Sequence, residues 1–304
     1  MKAYINRKIV QGPWGGGNLW LKAANSFLPD EGFKFIDINK ETPDVIFVAG
    51  LSRDQDCPGI FEIISYKNWY KKYAGKDIKV ILRVNECDAG KGTSNIDSTV
   101  REVSRHVDHV VFVSEWLMNY FSTNSWNTST SFIRNGVDSS IFKPREKLNN
   151  GKINIVTHHW SDNNLKGLDV YEKLDRWIEK NKDFNFTYIG RHKSSNFKNT
   201  KHINPLFGED LGKELSKHDV YVSASRFEAG PNHVIESLSC NIPVFVHRDG
   251  GACIEFAGKD HIYNDTEELF EILKRKNYSK NTVWLPDSWN NCIKSFSEVA
   301  KGLL

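Results

Sequence analysis

Two glutamates flank a glycine-proline turn in the second half of the sequence, Glu228 before the turn and Glu236 after it. Proline suits the first turn of a helix, and the backbone N–H groups and positive end of such a turn favour an anion such as a diphosphate. Seven residues separate the glutamates, so Glu228 lies in the loop, Glu236 lies about one turn inside the helix, and both carboxylates can face the same side. A carboxylate accepts two hydrogen bonds from a vicinal diol, as in a ribose or a hexose. The alternative is a helix whose acidic residues only interact with its dipole.

Lys166 is a candidate cation for the same anion. It follows a predicted strand at 153–157 and the run His158-His159-Trp160. An ammonium group beside a helix start stabilises the charge that develops on a departing diphosphate. The alternative is a lysine that is solvated in a loop. The two histidines do not predict a metal site, because successive strand side chains point to opposite faces and no further ligand has metal spacing.

A glycine-rich stretch at residues 11–18 is a second candidate site. It contains Trp14, Gly16 and Gly17 and leads into a predicted helix at 19–27. Glycines permit close backbone approach, and the helix start again favours an anion. A flexible turn without a ligand is the alternative. A dinucleotide-binding fingerprint is disfavoured, because the order of the glycines is wrong and the preceding segment is poor in apolar residues.

Short apolar runs alternate with amphipathic stretches along the whole chain, which predicts parallel sheets covered by helices and an α/β class. The predicted strands are 33–38, 45–49, 79–84, 109–113, 131–133, 153–157, 184–189, 220–223 and 243–246. The predicted helices are 19–27, 61–74, 98–106, 115–121, 168–180, 210–217, 234–239 and 266–274. Asn85, Glu86 and Asp88 follow the strand at 79–84, and the carboxyl ends of parallel strands are where ligands bind in such sheets.

The chain of 304 residues is long for one core and predicts two domains. A charged, asparagine-rich segment around residues 143–151 suits an exposed linker. We therefore predict an N-terminal domain at 1–146, a C-terminal domain at 152–285 and a final helix within 286–304.

The composition limits the classes of function. The chain has 39% hydrophobic and 26% charged residues and no apolar run of about 18 residues, so it is not expected to be an integral membrane protein. The N-terminus lacks the apolar stretch of a secretory signal, which predicts a cytoplasmic location. Five scattered cysteines favour reduced thiols over disulfides or zinc. A net charge of +3 gives no argument for nucleic-acid binding.

The spacing from Glu228 to Glu236 resembles the E-x7-E motif of retaining GT-B glycosyltransferases of family 4, in the variant E-x-x-P-N-x-x-x-E. Other stretches resemble the same family in the same order. They are V-S at 113–114, N-G-V-D-x-x-x-F-x-P at 135–144, and a P-V strand start followed by G-G-x-x-E between 243 and 255. Asn241 stands where the family usually has a glycine. Together these matches cover most of residues 80–260.

The sequence also departs from the family pattern. An arginine and, six residues later, a lysine usually follow the first strand of the donor domain; Lys166 matches the lysine, but Trp160 occupies the arginine position. Arg191 and Arg226 are candidates to compensate. Asn85, Glu86 and Asp88 stand where many members have a histidine that contacts the transferred sugar. We interpret Asp54-Gln55-Asp56, a superficial match to the metal-binding D-x-D of the other glycosyltransferase fold, as structural or incidental.

The resemblance implies a GT-B fold, with two Rossmann-like domains whose parallel sheets face each other across a cleft. It implies that 1–146 is the acceptor-side Rossmann-like domain, that 152–285 is the nucleotide-sugar-binding Rossmann-like domain, and that the helix at 286–304 returns to the first domain. It implies a retaining transferase that moves a hexose-type sugar from a UDP- or GDP-sugar to an acceptor hydroxyl by front-side attack, with no cofactor and no essential metal. The acceptor stays open among glycans, lipids, proteins, small molecules and modified bases. A sugar-nucleotide-binding protein without transferase activity and a sugar-nucleotide epimerase are the alternatives.

The resemblance also implies the site residues, which are grouped here by role. The expected catalytic residues are Glu228, Lys166 and Glu86. The expected donor-binding residues are Gly16, Gly17, Lys166, Arg191, Gly230, Asn232, His233 and Glu236. The expected acceptor-side residues are Trp14, Asn85 and Asp88.

Overall fold

The structure is a computed structural model that describes residues 1–12, 14–54, 56–122, 126–192, 197–282 and 286–304. Pro13 and Gln55, which belong to two of the stretches singled out above, lie outside the described residues. The described chain divides into two compact units. The first unit comprises Met1–Gln11, Gly16–Gly136 and Trp289–Leu304, and the second comprises Gly12–Gly15 and Val137–Ser288.

The first unit is built around a parallel sheet that has six strands among its described residues, in the order β2-β1-β3-β4-β5-β6. All four residues of its strand β3 are buried, and such uninterrupted apolar runs are typical of parallel strands that are covered on both faces. In chain order its elements are β1 (Lys2–Ile5), α1 (Gly16–Phe27), β2 (Lys34–Phe35), β3 (Val45–Val48), α2 (Ile60–Ala74), β4 (Lys79–Val84), α3 (Asp88–Lys91), α4 (Ile96–Ser104), β5 (His109–Phe112), α5 (Glu115–Phe121) and β6 (Ser129–Phe132).

The second unit contains another parallel sheet, with six strands among its described residues in the order β12-β11-β10-β7-β8-β9. In chain order its elements are β7 (Ile153–His159), α6 (Leu168–Lys180), β8 (Phe184–Gly190), β9 (Thr200–Ile203), α7 (Gly208–Ser216), β10 (Val220–Ser223), α8 (Asn232–Ser239), β11 (Val244–His247), α9 (Cys253–Ala257), β12 (Ile262–Tyr263) and α10 (Thr266–Lys274). Short 3-10 turns cover Asn164–Lys166 and Lys259–His261.

Local sequence explains the helices of the second unit. The buried residues of α6, Val170, Tyr171, Leu174 and Ile178, recur with helical spacing and pack in the core of this sheet. The N-terminus of α10 is capped by Asp265, whose side chain accepts a hydrogen bond from the Glu268 amide at 2.9 Å.

The C-terminal helix α11 (Trp289–Leu303) belongs to the first unit. Its fully buried Phe296 ring meets the indole of Trp20 in α1 edge to face, with 5.1 Å between the ring centroids. Ile293 and Ala300 of α11 are buried in the same core. The chain therefore crosses between the units again before this helix, and α11 completes the apolar core of the first unit.

The predicted α/β class with two parallel sheets is confirmed. The predicted central strands agree with the structure within a few residues, because each is an apolar run of the length that a buried strand requires. The prediction missed β1, β9 and β12. These strands are short or lie at or near sheet edges, and β9 keeps Lys201 and His202 exposed, so the apolar signal is weak there.

Among the described residues, no helix combines the length and the apolar character that crossing a bilayer requires.

We expect the Phe296→Ala substitution to lower the free energy of unfolding by about 3–5 kcal/mol, because it removes a fully buried aromatic side chain and leaves a cavity against Trp20. Urea denaturation followed by tryptophan fluorescence measures this loss. Glu298→Ala, at an exposed position of the same helix, is the matched control and should stay within about 0.5 kcal/mol of the wild type. Equal losses in the two variants would show that α11 does not belong to the core.

Candidate active site

The candidate site of the second unit lies where four neighbouring strands end. The strands β11, β10, β7 and β8 are adjacent in the sheet, and all run parallel. Their carboxyl-terminal loops therefore meet at one sheet edge, which is where open α/β sheets bind ligands. These loops carry Lys166, Arg191 and Glu228, and the following helix α8 carries Glu236.

Lys166 and Glu228 form an ion pair at this edge, in which the Lys166 ammonium donates to Glu228 Oε1. The two side chains are 24% and 15% exposed, so water screens their charges only in part. Lys166 ends the 3-10 turn Asn164–Lys166, which Asn163 caps: the Asn163 side chain accepts a hydrogen bond from the Leu165 amide at 2.9 Å. The two charges predicted to act on a donor are thus brought together by the fold.

The backbone around Glu228 is fixed by the loop that follows β11. The Glu228 carbonyl accepts from the Ala252 amide at 2.8 Å, and the Phe227 amide donates to the Asp249 carbonyl at 2.7 Å. Phe227 has a φ of 54°, which a bulky residue rarely adopts. Gly251 has a φ of 64°, and a side chain there would meet the Glu228 amide nitrogen and carbonyl oxygen at 2.7 Å. Strained backbone of this kind is retained mainly at functional sites.

Glu236 is held by a residue from β7. His158 Nε2 lies 2.9 Å from Glu236 Oε2, and both residues are only 8% exposed. Glu236 is the fifth residue of α8, as its spacing from Glu228 predicted. Each glutamate of the E-x7-E pair is therefore bonded to a basic group of the segment 158–166.

His159 and His233 lie buried beside these pairs. Burial, with lesser effects from Lys166 and His158, lowers the pKa of His159 well below its usual range, and burial likewise lowers the pKa of His233. His159 Nε2 lies 2.9 Å from the Tyr171 hydroxyl, and His233 Nε2 lies 2.8 Å from Ser223 Oγ. Both imidazoles are therefore neutral near pH 7, and neither adds positive charge to the site.

Trp160 stands where the glycosyltransferases that this sequence resembles have an arginine, and its ring contacts a different arginine. The Arg191 guanidinium lies 5.7 Å from the centroid of the Trp160 ring. The preceding residue, Gly190, has a φ of 151°, and a side chain there would overlap the His159 carbonyl oxygen at 2.0 Å. The second compensating candidate, Arg226, makes a two-pronged ion pair with Asp169 at 2.8 and 3.0 Å. Its charge is already matched, so Arg191 is the stronger candidate.

Three further residues of the second unit, Ser225, Gly230 and Asn232, lie between the end of β10 and the first turn of α8. Gly230 and Asn232 are half-buried on either side of Pro231, at the start of α8. Ser225, the second residue after β10, is fully buried, and its Oγ has no hydrogen-bond partner among the described residues. Ser225 and His158 were not predicted as site residues. The signal that could have identified them is a polar side chain within two residues of the end of a predicted strand.

The predicted residues of the first unit lie at the start of α1 and after β4. Gly16 and Gly17 are the first two residues of α1, so they form its first turn rather than a preceding loop. A side chain at Gly17 would stand 3.5 Å from the Asn85 amide nitrogen, so these two predicted residues are close together. Glu86 pairs with Lys91 at 3.0 Å.

Asp88 holds its own loop together. Its carboxylate accepts hydrogen bonds from Thr93 Oγ1 at 2.5 Å and from the Ile96 and Asp97 amides at 3.0 and 3.1 Å. Trp14, the remaining predicted acceptor-side residue, groups with the second unit, and its ring centroid lies 5.3 Å from that of Trp160.

The structure gives no support to a metal site among the described residues, in which no three histidine, cysteine or acidic side chains cluster with suitable geometry. The two aspartates of the D-x-D match form ion pairs instead, Asp54 with Arg7 at 3.4 Å and Asp56 with Lys8 at 2.6 Å.

Comparisons with known proteins show the fold. No family model matches this sequence, and no curated protein sequence matches it. Among solved structures, the chain is similar to a sucrose-phosphate synthase from Thermosynechococcus elongatus, with a TM-score of 0.66 and 13% identity over 99% of this chain and 94% of that one. It is similar to a glycosyltransferase from Rickettsia africae, with a TM-score of 0.66 and 14% identity over 99% and 98% of the two chains.

A third similar structure is WaaG, a glycosyltransferase involved in lipopolysaccharide biosynthesis, with a TM-score of 0.61 and 13% identity over 99% of this chain and 94% of that one. The similarity extends over nearly the whole length of all three proteins. Together with the two parallel sheets, it confirms the GT-B fold that the sequence motifs implied.

Gly167 ends the turn that carries Lys166, with a φ of 82°, and an added Cβ would lie 2.3 Å from the Ala224 carbonyl oxygen. Gly151 of the same unit has a φ of 72° and open space around it, so Gly151→Ala is a matched control for backbone strain alone. We expect Gly167→Ala to cost about 1–3 kcal/mol of unfolding free energy beyond that control. Equal losses in chemical denaturation would contradict the close packing described here.

Proposed function

We propose that the protein is a retaining glycosyltransferase that moves a hexose-type sugar from a UDP- or GDP-sugar to an acceptor hydroxyl. The observation that carries this proposal is the arrangement of two glutamates with E-x7-E spacing at the carboxyl edge of a GT-B sheet. Each is bonded to a basic residue of the segment 158–166. The solved structures with the same fold include sugar-transferring enzymes, which supports the same class of reaction here.

The proposed donor site assigns a separate task to each charged group. Lys166 binds the diphosphate, Glu236 binds the ribose, and Glu228 binds hydroxyls of the transferred sugar. The N-terminal turn of α8, with Gly230, Asn232 and His233, contributes to donor binding. A bound diphosphate would compete with Glu228 for the Lys166 ammonium. The Glu228 oxygen released in this way would accept hydrogen bonds from the sugar hydroxyls.

The proposed reaction requires no covalent enzyme intermediate. The acceptor oxygen attacks the anomeric carbon from the side of the leaving group. The bond from that carbon to the phosphate oxygen breaks, and the acceptor proton passes to the departing phosphate. The products are the glycoside and the nucleoside diphosphate. The protein contributes positioning and positive charge from Lys166 and Arg191, so the proposal includes no essential metal.

Gly16, Gly17 and Glu86 are proposed contributors from the first unit, and acceptor choice is assigned to Trp14, Asn85 and Asp88.

Glu228→Gln tests the central role. The substitution keeps the shape of the side chain but removes the charge that holds the sugar hydroxyls, so we expect sugar transfer to fall by at least about a hundredfold. Nucleotide binding should be kept and should strengthen if anything, because the diphosphate no longer competes with the Glu228 charge for Lys166. Transfer is measured as release of UDP or GDP from the sugar donor, with product identity checked by NMR.

Glu179→Gln, at an exposed position of α6, is the control and should retain full activity. Unchanged turnover in Glu228→Gln would remove the role assigned to Glu228. The second candidate is a sugar-nucleotide-binding protein, which is supported by the tryptophan at position 160 in place of an arginine. Nucleotide binding without turnover in the wild type would favour it. An epimerised donor without glycoside would favour an epimerase.

The contact between Arg191 and Trp160 generates a rescue experiment. If Arg191 supplies the second positive charge, Arg191→Ala should weaken binding of UDP or GDP by about 10- to 100-fold, the loss typical of one hydrogen bond between charged groups. Binding of the uncharged nucleoside should not change. Isothermal titration calorimetry measures both ligands.

Adding Trp160→Arg to Arg191→Ala should restore part of the lost affinity, because it places a cation at the usual family position. Arg226→Ala, which removes the arginine already paired with Asp169, is the control and should bind nearly as the wild type does. An equal loss for nucleoside and diphosphate in Arg191→Ala would show that the arginine has only a structural role.

A further inference from the structure

We propose that His158 is a positioning residue for the ribose-binding carboxylate, and that it directs Glu236 Oε1 toward the donor by holding Oε2. This inference rests on the proposed function, because it assigns a partner to the glutamate that would bind the ribose. His158 lies outside the E-x7-E motif at 228–236, and its role is inferred from its contact with Glu236.

The contact between His158 and Glu236 is buried and specific. The Nε2 to Oε2 distance is 2.9 Å, and the two side chains are 10% and 11% exposed. Among the described residues, His158 is the only side chain that hydrogen bonds to the Glu236 carboxylate. One carboxylate oxygen is therefore fixed, and the other is left to accept hydrogen bonds from a ligand.

The His158 ring is itself held in place. His158 lies in β7, where it pairs with Ile189 of β8. Its backbone amide donates to the Tyr221 hydroxyl at 3.1 Å. The imidazole meets the Tyr221 ring edge to face, with 5.6 Å between centroids, and the His233 ring lies 6.2 Å away. A ring held on these sides can fix the torsion of the glutamate that it contacts.

The hydrogen bond also assigns the proton on the imidazole. An ionised carboxylate only accepts hydrogen bonds, so His158 Nε2 carries the hydrogen. Nδ1 is buried and has no hydrogen-bond partner among the described residues.

A buried carboxylate with a single side-chain hydrogen bond is costly, because ionised groups normally keep several hydrogen bonds when they leave water. The arrangement is explained if a ligand supplies the missing donors. The two hydroxyls of a ribose have this chemistry and would approach the oxygen that His158 leaves open. Without His158, the terminal torsion of Glu236 is broad, and the carboxylate loses its fixed direction.

The test compares ribose and deoxyribose nucleotides, because a residue that only supports the fold would not change the preference between them. Affinities for UDP and 2′-deoxy-UDP, and for GDP and 2′-deoxy-GDP, are measured by isothermal titration calorimetry. The wild type should prefer one ribonucleotide over its deoxy form by about tenfold or more, because a hydrogen bond to a charged group is lost in the deoxy form.

His158→Phe should bring this ratio close to one, whereas His158→Gln, whose amide N–H can reach Glu236, should keep most of it. If the phenylalanine variant does not fold, His158→Asn replaces it, because the shorter amide cannot reach the carboxylate. His261→Gln, which replaces a buried histidine bonded to the Ser279 carbonyl in the same unit, is the control and should keep the wild-type ratio.

A wild-type ratio that survives in His158→Phe, or in His158→Asn where the phenylalanine variant does not fold, would overturn the positioning role while leaving the proposed function intact. A wild type that binds none of the four nucleotides would instead overturn the proposed function, and the positioning role with it.

Discussion

Two carboxylates at the edge of the second sheet take their partners from one short segment of chain, and the rest of the site depends on this constraint. His158, at the end of β7, holds Glu236, and Lys166, in the turn that follows, holds Glu228. Charged groups removed from water require such partners. Because a single strand and its loop provide both, the distance between the two glutamates is fixed by the path of residues 158–166 as well as by the start of α8.

Backbone geometry and neutral neighbours keep these pairs in place. Gly167 and Gly251 adopt left-handed conformations where a side chain would overlap the backbone or side chain of the neighbouring loop, and they bring the loops after β7, β10 and β11 together. His159 and His233 remain uncharged through burial, so positive charge is concentrated at Lys166 and Arg191. In the proposed function, the two fixed carboxylates accept hydrogen bonds from donor hydroxyls, and the cations bind its diphosphate.

The sequence predicts the fold well because the central strands are continuous apolar runs and the helices carry one apolar face. It predicts the positions of Glu228, Glu236 and Lys166, because motif spacing fixes which strand end or helix turn carries each residue. It does not predict the bond between His158 and Glu236, whose residues are 78 positions apart and meet only through sheet order. Nor does it choose between Arg191 and Arg226, because that choice depends on the ion pair with Asp169. The strands β1, β9 and β12 were not predicted, because short strands at or near sheet edges bury few apolar side chains.

A crystal structure with bound UDP or GDP tests the central claim most directly. The account predicts that the ribose hydroxyls lie about 3 Å from Glu236 Oε1 and that the diphosphate lies against Lys166. A nucleotide bound away from this sheet edge, or one whose ribose and diphosphate contact neither Glu236 nor Lys166, would contradict the account.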